Sequence, residues 1–488
     1  MKRLRLAVLA FLAVVLSTGV GEASNAQPID RCQLAAWLAG GISNRRMLRL
    51  VTERGVTFLP SAEAEKQLRE AGADSELVKA LQSAHPVMPA TSPSSCPPEL
   101  FKVGELTYHK YYAAAESQLS VLLRSDPGNA SLHFARGEML RQQEHWEEAL
   151  DEFTKSARLM PGLPETHDRL AFVLYRTQDA DGAIAEARTA LSMDPKNAEA
   201  YRYLGLGLYA TGKYEAALHA YEESLAREPE SADVYYDMGI VLRDRGDLRS
   251  AAGAYLHALR LRPDFWEAHS NLGIVLHDQG KLDDAIAEYR EAKRLAPEEP
   301  SVRNNLGNTY CDKGEYDAAI AEFRALYRLD ARWPSGHDCM ARAFMAKKNY
   351  AEAIPELRLA VQQNPTGATE HRVLGQALLL TGNAEAALPE LKAAVYLSPD
   401  SALSHHYLGT ALFDLQFFDD AEVELREALR LEPTAQNHFS LAACLLASNR
   451  NDEALAELEI ASRLDPARAL YRARTEELLR LMSPPSRR

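Results

Sequence analysis

A proline recurs every 34 residues through most of this chain. It stands at Pro127, Pro161, Pro195, Pro229, Pro263 and Pro297, gives way to Ala331, and returns at Pro365, Pro399 and Pro433; a last one, Pro466, comes one residue early. A fixed period of this length means one supersecondary unit copied many times, each copy burying its apolar face on its neighbours. At 488 residues the chain is in any case too long for one ordinary core. Such an array offers an extended surface, so binding is expected in preference to a reactive centre.

Counting back from each proline exposes further landmarks. Twenty-four residues before it stands a small residue: Gly137, Ala171, Gly205, Gly239, Gly273, Gly307, Ala341, Gly375, Gly409 and Ala442. Twelve before it stands alanine in all ten full copies, from Ala149 to Ala454. Eight before it stands an aromatic or leucine, such as Phe153, Tyr221, Tyr255, Tyr289 and Phe323, with Ala187 the small exception. Seventeen before it five copies carry glycine: Gly212, Gly246, Gly280, Gly314 and Gly382. Each unit therefore reads as two helices. The glycine ends the first in a left-handed turn, the small residues let the pair approach closely, and the proline breaks the second.

These landmarks resemble the tetratricopeptide repeat family. The resemblance implies an all-α, right-handed superhelical solenoid of about ten to eleven helix-turn-helix repeats. It also implies a concave groove lined by first helices and a non-enzymatic role as a scaffold that holds a peptide or protein partner. The copy at 99–129 is degenerate, ten repeats fill 130–467, and 468–482 is a capping helix with Leu470, Leu478 and Leu481 on one face; 483–488 is a disordered tail.

Ahead of the array, Lys2, Arg3 and Arg5 precede a short apolar run from Leu6 to Leu16 and then small residues. That order predicts a signal peptide over 1–26, export to the periplasm or outside, and no membrane span once it is cut. Residues 28–85 predict a small module of four helices, capped at Asp30, Ser43, Ser61 and Asp74 and stopped at Gly40-Gly41, Gly55 and Gly72. A proline-rich linker over 86–98 follows. An oxidising compartment would allow Cys32 and Cys96 to bridge, with two free thiols as the alternative. Cys311, Cys339 and Cys444 fall in different units and are expected unpaired.

Acids outnumber bases 69 to 55, against a nucleic-acid binder. Histidine recurs 28 before the proline at His133, His167, His269, His337, His371, His405 and His438. Stacked helices lie about 8–10 Å apart, too wide for a zinc shell at about 2.0–2.1 Å. The rings are therefore expected to pack between first helices, with no metal. Gly207 to Lys213 imitates a phosphate loop, but Tyr214 replaces the needed Ser or Thr and no strand precedes it. No pattern for a nucleophile or metal hydrolase occurs, so no catalytic residue and no cofactor is expected.

The resemblance carries groove positions onto Phe134, Phe172, Tyr175, Arg202, Tyr209, Tyr236 and Arg243. It also carries them onto an acidic row, Glu165, Glu199, Asp233 and Glu267. Aromatics and arginine dominate interface energetics. The acids either steer a basic partner or complement helix dipoles. Asn304 and Asn308 face the same groove, with Asn271 and Asn305 beside it. The expected role is an adaptor in an envelope or secretion assembly; the alternative is the substrate-recognition subunit of a transferase or protease acting in trans.

Overall fold

The structure, a computed structural model, describes residues 28–39, 42, 44–87, 96–97, 99–333 and 335–482. The expected signal peptide, most of the linker, the Gly40-Gly41 stop, the Ser43 cap and the tail lie outside the described residues. Every regular element among them is a helix, 27 in all, with the repeats built as helix pairs and a single helix closing the described chain. By its internal contacts the chain divides at Pro263 into two compact units.

Unit 1 opens with the N-terminal module: α1 (Arg31–Ala39), α2 (Asn44–Arg54), α3 (Ala62–Glu70) and α4 (Ser75–Ser83). The Asp30 carboxylate accepts from the Gln33 amide at 2.8 Å, and Ser61 and Asp74 cap α3 and α4. Gly55 and Gly72 take φ of +73° and +101°, the left-handed stops that only glycine adopts freely. Three backbone bonds stitch the module's ends, including Thr57 N to Ile29 O at 3.0 Å and Val87 N to Val56 O at 2.8 Å. Cys32 and Cys96 are bonded, their Cα atoms 5.1 Å apart.

The module is not an independent body. One apolar cluster runs without a break from Ile29, Trp37 and Leu50 in the module to Phe153 and Val173 in the array. The degenerate copy explains this. Its helices are α5 (Glu99–Tyr108) and α6 (Tyr112–Ser125). Its small residue, Gly104, is one place out of register. There it faces the module, where an added Cβ would lie 3.2 Å from Ala71 Cβ and 3.6 Å from Ala39 N. The first copy has traded the register of the array for close packing on α1.

The regular repeats of unit 1 pair α7 (Ala130–Gln142) with α8 (Trp146–Leu159), and α9 (Pro164–Arg176) with α10 (Ala180–Met193). They continue with α11 (Ala198–Ala210) and α12 (Tyr214–Arg227), then α13 (Ala232–Asp244) and α14 (Leu248–Leu261). Unit 2 holds α15 (Trp266–Asp278), α16 (Leu282–Leu295), α17 (Pro300–Lys313), α18 (Tyr316–Leu329), α19 (His337–Ala346) and α20 (Tyr350–Gln363). It continues through α21 (Ala368–Leu380), α22 (Ala384–Leu397), α23 (Ala402–Asp414), α24 (Phe418–Leu431), α25 (Ala435–Ala447), α26 (Asn451–Leu464) and α27 (Ala469–Met482). The repeated alanine is fully buried wherever α7 to α26 pair, from Ala149 to Ala454. The terminal helix α27 buries Leu478 and Tyr471, the latter with its ring 4.9 Å from Phe439 and its hydroxyl donating to Gln436 at 3.0 Å, both on α25. Leu470 and Leu481, expected on that face, are exposed, because the buried stripe is set by Tyr471, seven residues before Leu478.

The turn inside each repeat is left-handed whether or not glycine is present. Glu144, Gln178, Lys348, Gln416 and Asn449 occupy the glycine slot with φ between +57° and +67°. The hydrogen bonds demand it: His145 N reaches Leu140 O at 3.0 Å just as Lys213 N reaches Leu208 O at 2.9 Å beside Gly212. A non-glycine residue in this conformation costs about 1–2 kcal/mol, less what its stiffer unfolded chain returns. Gln178→Gly and Lys348→Gly should each therefore raise stability by about 0.5–1 kcal/mol, read as a higher urea midpoint.

Candidate binding surface

First helices of neighbouring repeats touch through residues 35 apart, one period plus one. Arg202 Nε donates to Asp237 at 2.6 Å, and the Tyr209 hydroxyl donates to Asp244 at 2.5 Å. In unit 2, His277 Nε2 lies 3.1 Å from Asp312. The 34-residue period is thus the signal that locates Asp237 and Asp244, which the reading of the sequence missed. Asp244 also accepts from Arg243 at 2.9 Å, and Asp233 from Arg262 at 2.9 Å. Tyr175 feels both Arg202 and Asp237, and Tyr236 lies with its ring 5.9 Å from Tyr255. Tyr175, Arg202, Tyr209, Tyr236 and Arg243 are therefore brought together on α9, α11 and α13, all half-buried. Burial pushes the Tyr175 phenol up, and burial with the Asp244 carboxylate pushes Tyr209 further up, so both stay protonated donors.

Two of the expected positions differ. Phe134 is buried, 2 % exposed, against Phe153 at 5.6 Å between centroids. Phe172 is wedged between Trp146 at 6.0 Å and Tyr203 at 5.5 Å. Phe134 is a core residue because the N-terminal module covers the start of the array.

That covering also decides the acidic row. Arginines of α2 reach its first members: Arg46 Nη2 lies 2.5 Å from Asp168 Oδ2 and 3.7 Å from Glu165, and it pairs with Glu199. Arg54 donates to Glu165 at 3.2 Å. Arg49 donates to Asp194 at 3.1 Å and to the Lys196 carbonyl at 2.7 Å. Arg46, Glu165 and Asp168 are nearly without solvent exposure. Asn197 Nδ2 completes the Asp168 carboxylate at 2.8 Å. The chain's own helix is the basic group that these acids receive, at sequence separations of 111 for Arg54–Glu165, 122 for Arg46–Asp168 and 145 for Arg49–Asp194.

In unit 2, Asn304 is engaged within the chain. Its Oδ1 accepts from Ser335 at 2.8 Å, in a loop where Trp333 Nε1 donates to Ser335 at 3.0 Å. Asn308 lies half-buried one turn on. Cys311 and Cys339, expected unpaired, are bonded with Cα atoms 6.2 Å apart. Different units proved no bar, because α17 and α19 are adjacent first helices. Cys444 is free and buried. No group of three metal-capable side chains occurs among the described residues, and none of their helices is long and apolar enough to cross a membrane.

A tetratricopeptide repeat profile matches residues 110–164, 169–233, 204–242, 236–300, 340–402 and 408–469, and a second matches 276–343. The chain belongs to the tetratricopeptide repeat family. No curated protein matches it by sequence. Solved structures similar in fold include PilF of Pseudomonas aeruginosa, 20 % identical over 42 % of this chain and 94 % of that one, with a TM-score of 0.39. Another is the Cut9–Hcn1 assembly of the APC/C, 17 % identical over 76 % and 72 %, with a TM-score of 0.45. A third is YrrB, described as having an unusual peptide-binding site, 24 % identical over 40 % and 97 %, with a TM-score of 0.32. Tetratricopeptide repeat proteins generally mediate protein–protein interactions, and their scaffold is typically non-enzymatic.

Proposed function

We propose that this tetratricopeptide repeat protein is an exported, non-enzymatic adaptor that holds a peptide or protein partner on its first-helix face, in an envelope or secretion assembly. The observation that carries the reading is the half-buried cluster of Tyr175, Arg202, Tyr209, Tyr236 and Arg243 on three successive first helices. These rigid amphipathic side chains are the types that anchor interfaces. Their acidic partners hold the arginines in place before any guest arrives, which lowers the ordering cost of binding. The two cystine bridges support export, since such bonds persist in oxidising compartments. The order of Lys2, Arg3 and Arg5, the apolar run from Leu6 to Leu16 and the small residues after it supports the same reading.

Tyr209→Ala with Tyr236→Ala should weaken capture of the partner about tenfold or more, as expected for central aromatic anchors. Helicity by circular dichroism should be unchanged. Affinity capture from the native envelope with wild type and double variant in parallel checks this. Equal recovery of the same partner by both would remove the assignment.

A further inference from the structure

The recurring histidine answers to a second residue. In every full copy with histidine 28 before the proline slot, glutamate stands nine before it. The imidazole Nδ1 lies 2.6 Å from that carboxylate in His133–Glu152, His167–Glu186, His269–Glu288, His337–Glu356, His371–Glu390 and His405–Glu424, and 2.5 Å in His438–Glu457. The ring thus bridges the two helices of its own repeat instead of packing between first helices. Where tyrosine takes the histidine slot, at Tyr201 and Tyr235, alanine takes the glutamate slot, at Ala220 and Ala254.

The other ring nitrogen also meets an acceptor. Nε2 lies 3.1 Å from the Pro127 carbonyl in His133 and 3.2 Å from Pro161 in His167. The same contact is 3.1 Å in His371 and 3.0 Å in His405. A neutral imidazole has one N–H, so it can satisfy one of these two acceptors and turns a lone pair on the other. Only the imidazolium donates to both.

One repeat supplies the control. Arg303 stands in the histidine slot, and its Nη1 donates to Glu322 at 3.2 Å while Nη2 donates to the Pro297 carbonyl at 3.1 Å. A permanently charged side chain with two donors meets the same two acceptors. In one of the two tyrosine copies, Arg227 stacks on Tyr201 and its Nε donates to the Pro195 carbonyl at 3.1 Å. A cation thus meets both acceptors from the slot itself at Arg303, and reaches the proline carbonyl from outside the slot at Arg227.

We propose that His133 and His167 are proton-operated clamps, which as imidazolium lock the first helix, the second helix and the preceding proline turn together and release the proline carbonyl when the proton is lost. The surrounding charges agree. Around His133 stand Glu152, with Lys155 and Arg136 on that carboxylate, and Asp151 on Lys155. Around His167 stand Glu186 and Asp168, the latter held by Arg46 and Asn197. The Glu152 hydrogen bond raises His133 above its ordinary value of 6.5. Burial alone would lower His167, but Glu186 and the Pro161 carbonyl outweigh it and leave it raised. A histidine raised in the folded state contributes stability in full below its unfolded value. That contribution is lost as pH rises through the folded value.

The full chain labelled with 15N-histidine tests this, with signals assigned through His133→Arg and His167→Arg. Both rings should give imidazolium signals that persist above 6.5; titration of both at or below that value overturns the proposal. Thermal midpoints from about pH 5.5 to about pH 8.5 give a second reading. The wild-type midpoint should fall across this range. The double arginine variant, which copies Arg303, should fall less steeply, and an equal slope would also overturn the proposal.

Discussion

Arg46→Met should destabilise the first unit by about 3–5 kcal/mol, one of the largest losses expected from any single change in this chain. The substitution keeps length and apolar stem but leaves Asp168 without its ion-pair partner and Glu165 with Arg54 alone, in a place where neither carboxylate meets solvent. Burial already pushes the Asp168 carboxyl up, and Arg46 is the leading force opposing it. With that opposition gone Asp168 rises further, so it binds a proton more readily folded than unfolded. The sign follows: the defect is greatest near neutral pH and eases as pH falls, because the protonated carboxyl needs no counter-charge. Arg46→Met combined with Asp168→Asn should recover more than half of the loss, since the amide can still accept from Asn197 and Glu165 keeps Arg54. Urea denaturation of the single and double variants at two pH values checks all three statements. A loss under about 1 kcal/mol for Arg46→Met would mean that these charges are not buried together.

The difference between this interaction and the repeat frame explains what the sequence could disclose. The small residue, the buried alanine and the residue that faces them, aromatic or leucine in nine copies and Ala187 in the tenth, meet across one helix pair, so their spacing is local and recurs ten times. Repetition turned a packing rule into a visible pattern. The landmark glycine was only half of its own story: Glu144 and Gln178 adopt the same left-handed turn without the residue that advertises it. The histidine–glutamate pair was equally local, and its regular spacing from the proline was open to reading. Arg46 and Asp168 stand 122 residues apart, occur once, and break no periodicity. Nothing in a repeat analysis can pair them. The Cys311–Cys339 bond was obscured for a related reason, because its 28-residue separation departs from the period that made other neighbours predictable. The candidate surface was legible in its aromatics and arginines, whereas its acidic partners needed the stacking offset of one period plus one.

Tyr289→Ala should cost about 3–5 kcal/mol, and the reason can be separated experimentally from simple loss of an aromatic. Tyr289 is 2 % exposed and lies directly over Gly273, where an added Cβ would sit 2.7 Å from the ring. Gly273→Ala alone should therefore cost about 1–3 kcal/mol by overpacking. The chain contains the compensated forms. Ala341 pairs with Leu357, Ala442 with Leu458, and Ala171 with Ala187, all buried, so alanine in this slot is tolerated when the facing residue is not aromatic. Gly273→Ala with Tyr289→Leu should accordingly be less damaging than the sum of its two single changes, with a favourable coupling of about 0.5–3 kcal/mol. A double-mutant cycle by urea denaturation measures that coupling, with hydrogen exchange in α15 and α16 showing that the effect is confined to the repeat. Strict additivity would mean that the glycine is required for backbone freedom instead of for space, and that explanation has no support at Gly273, whose backbone is helical.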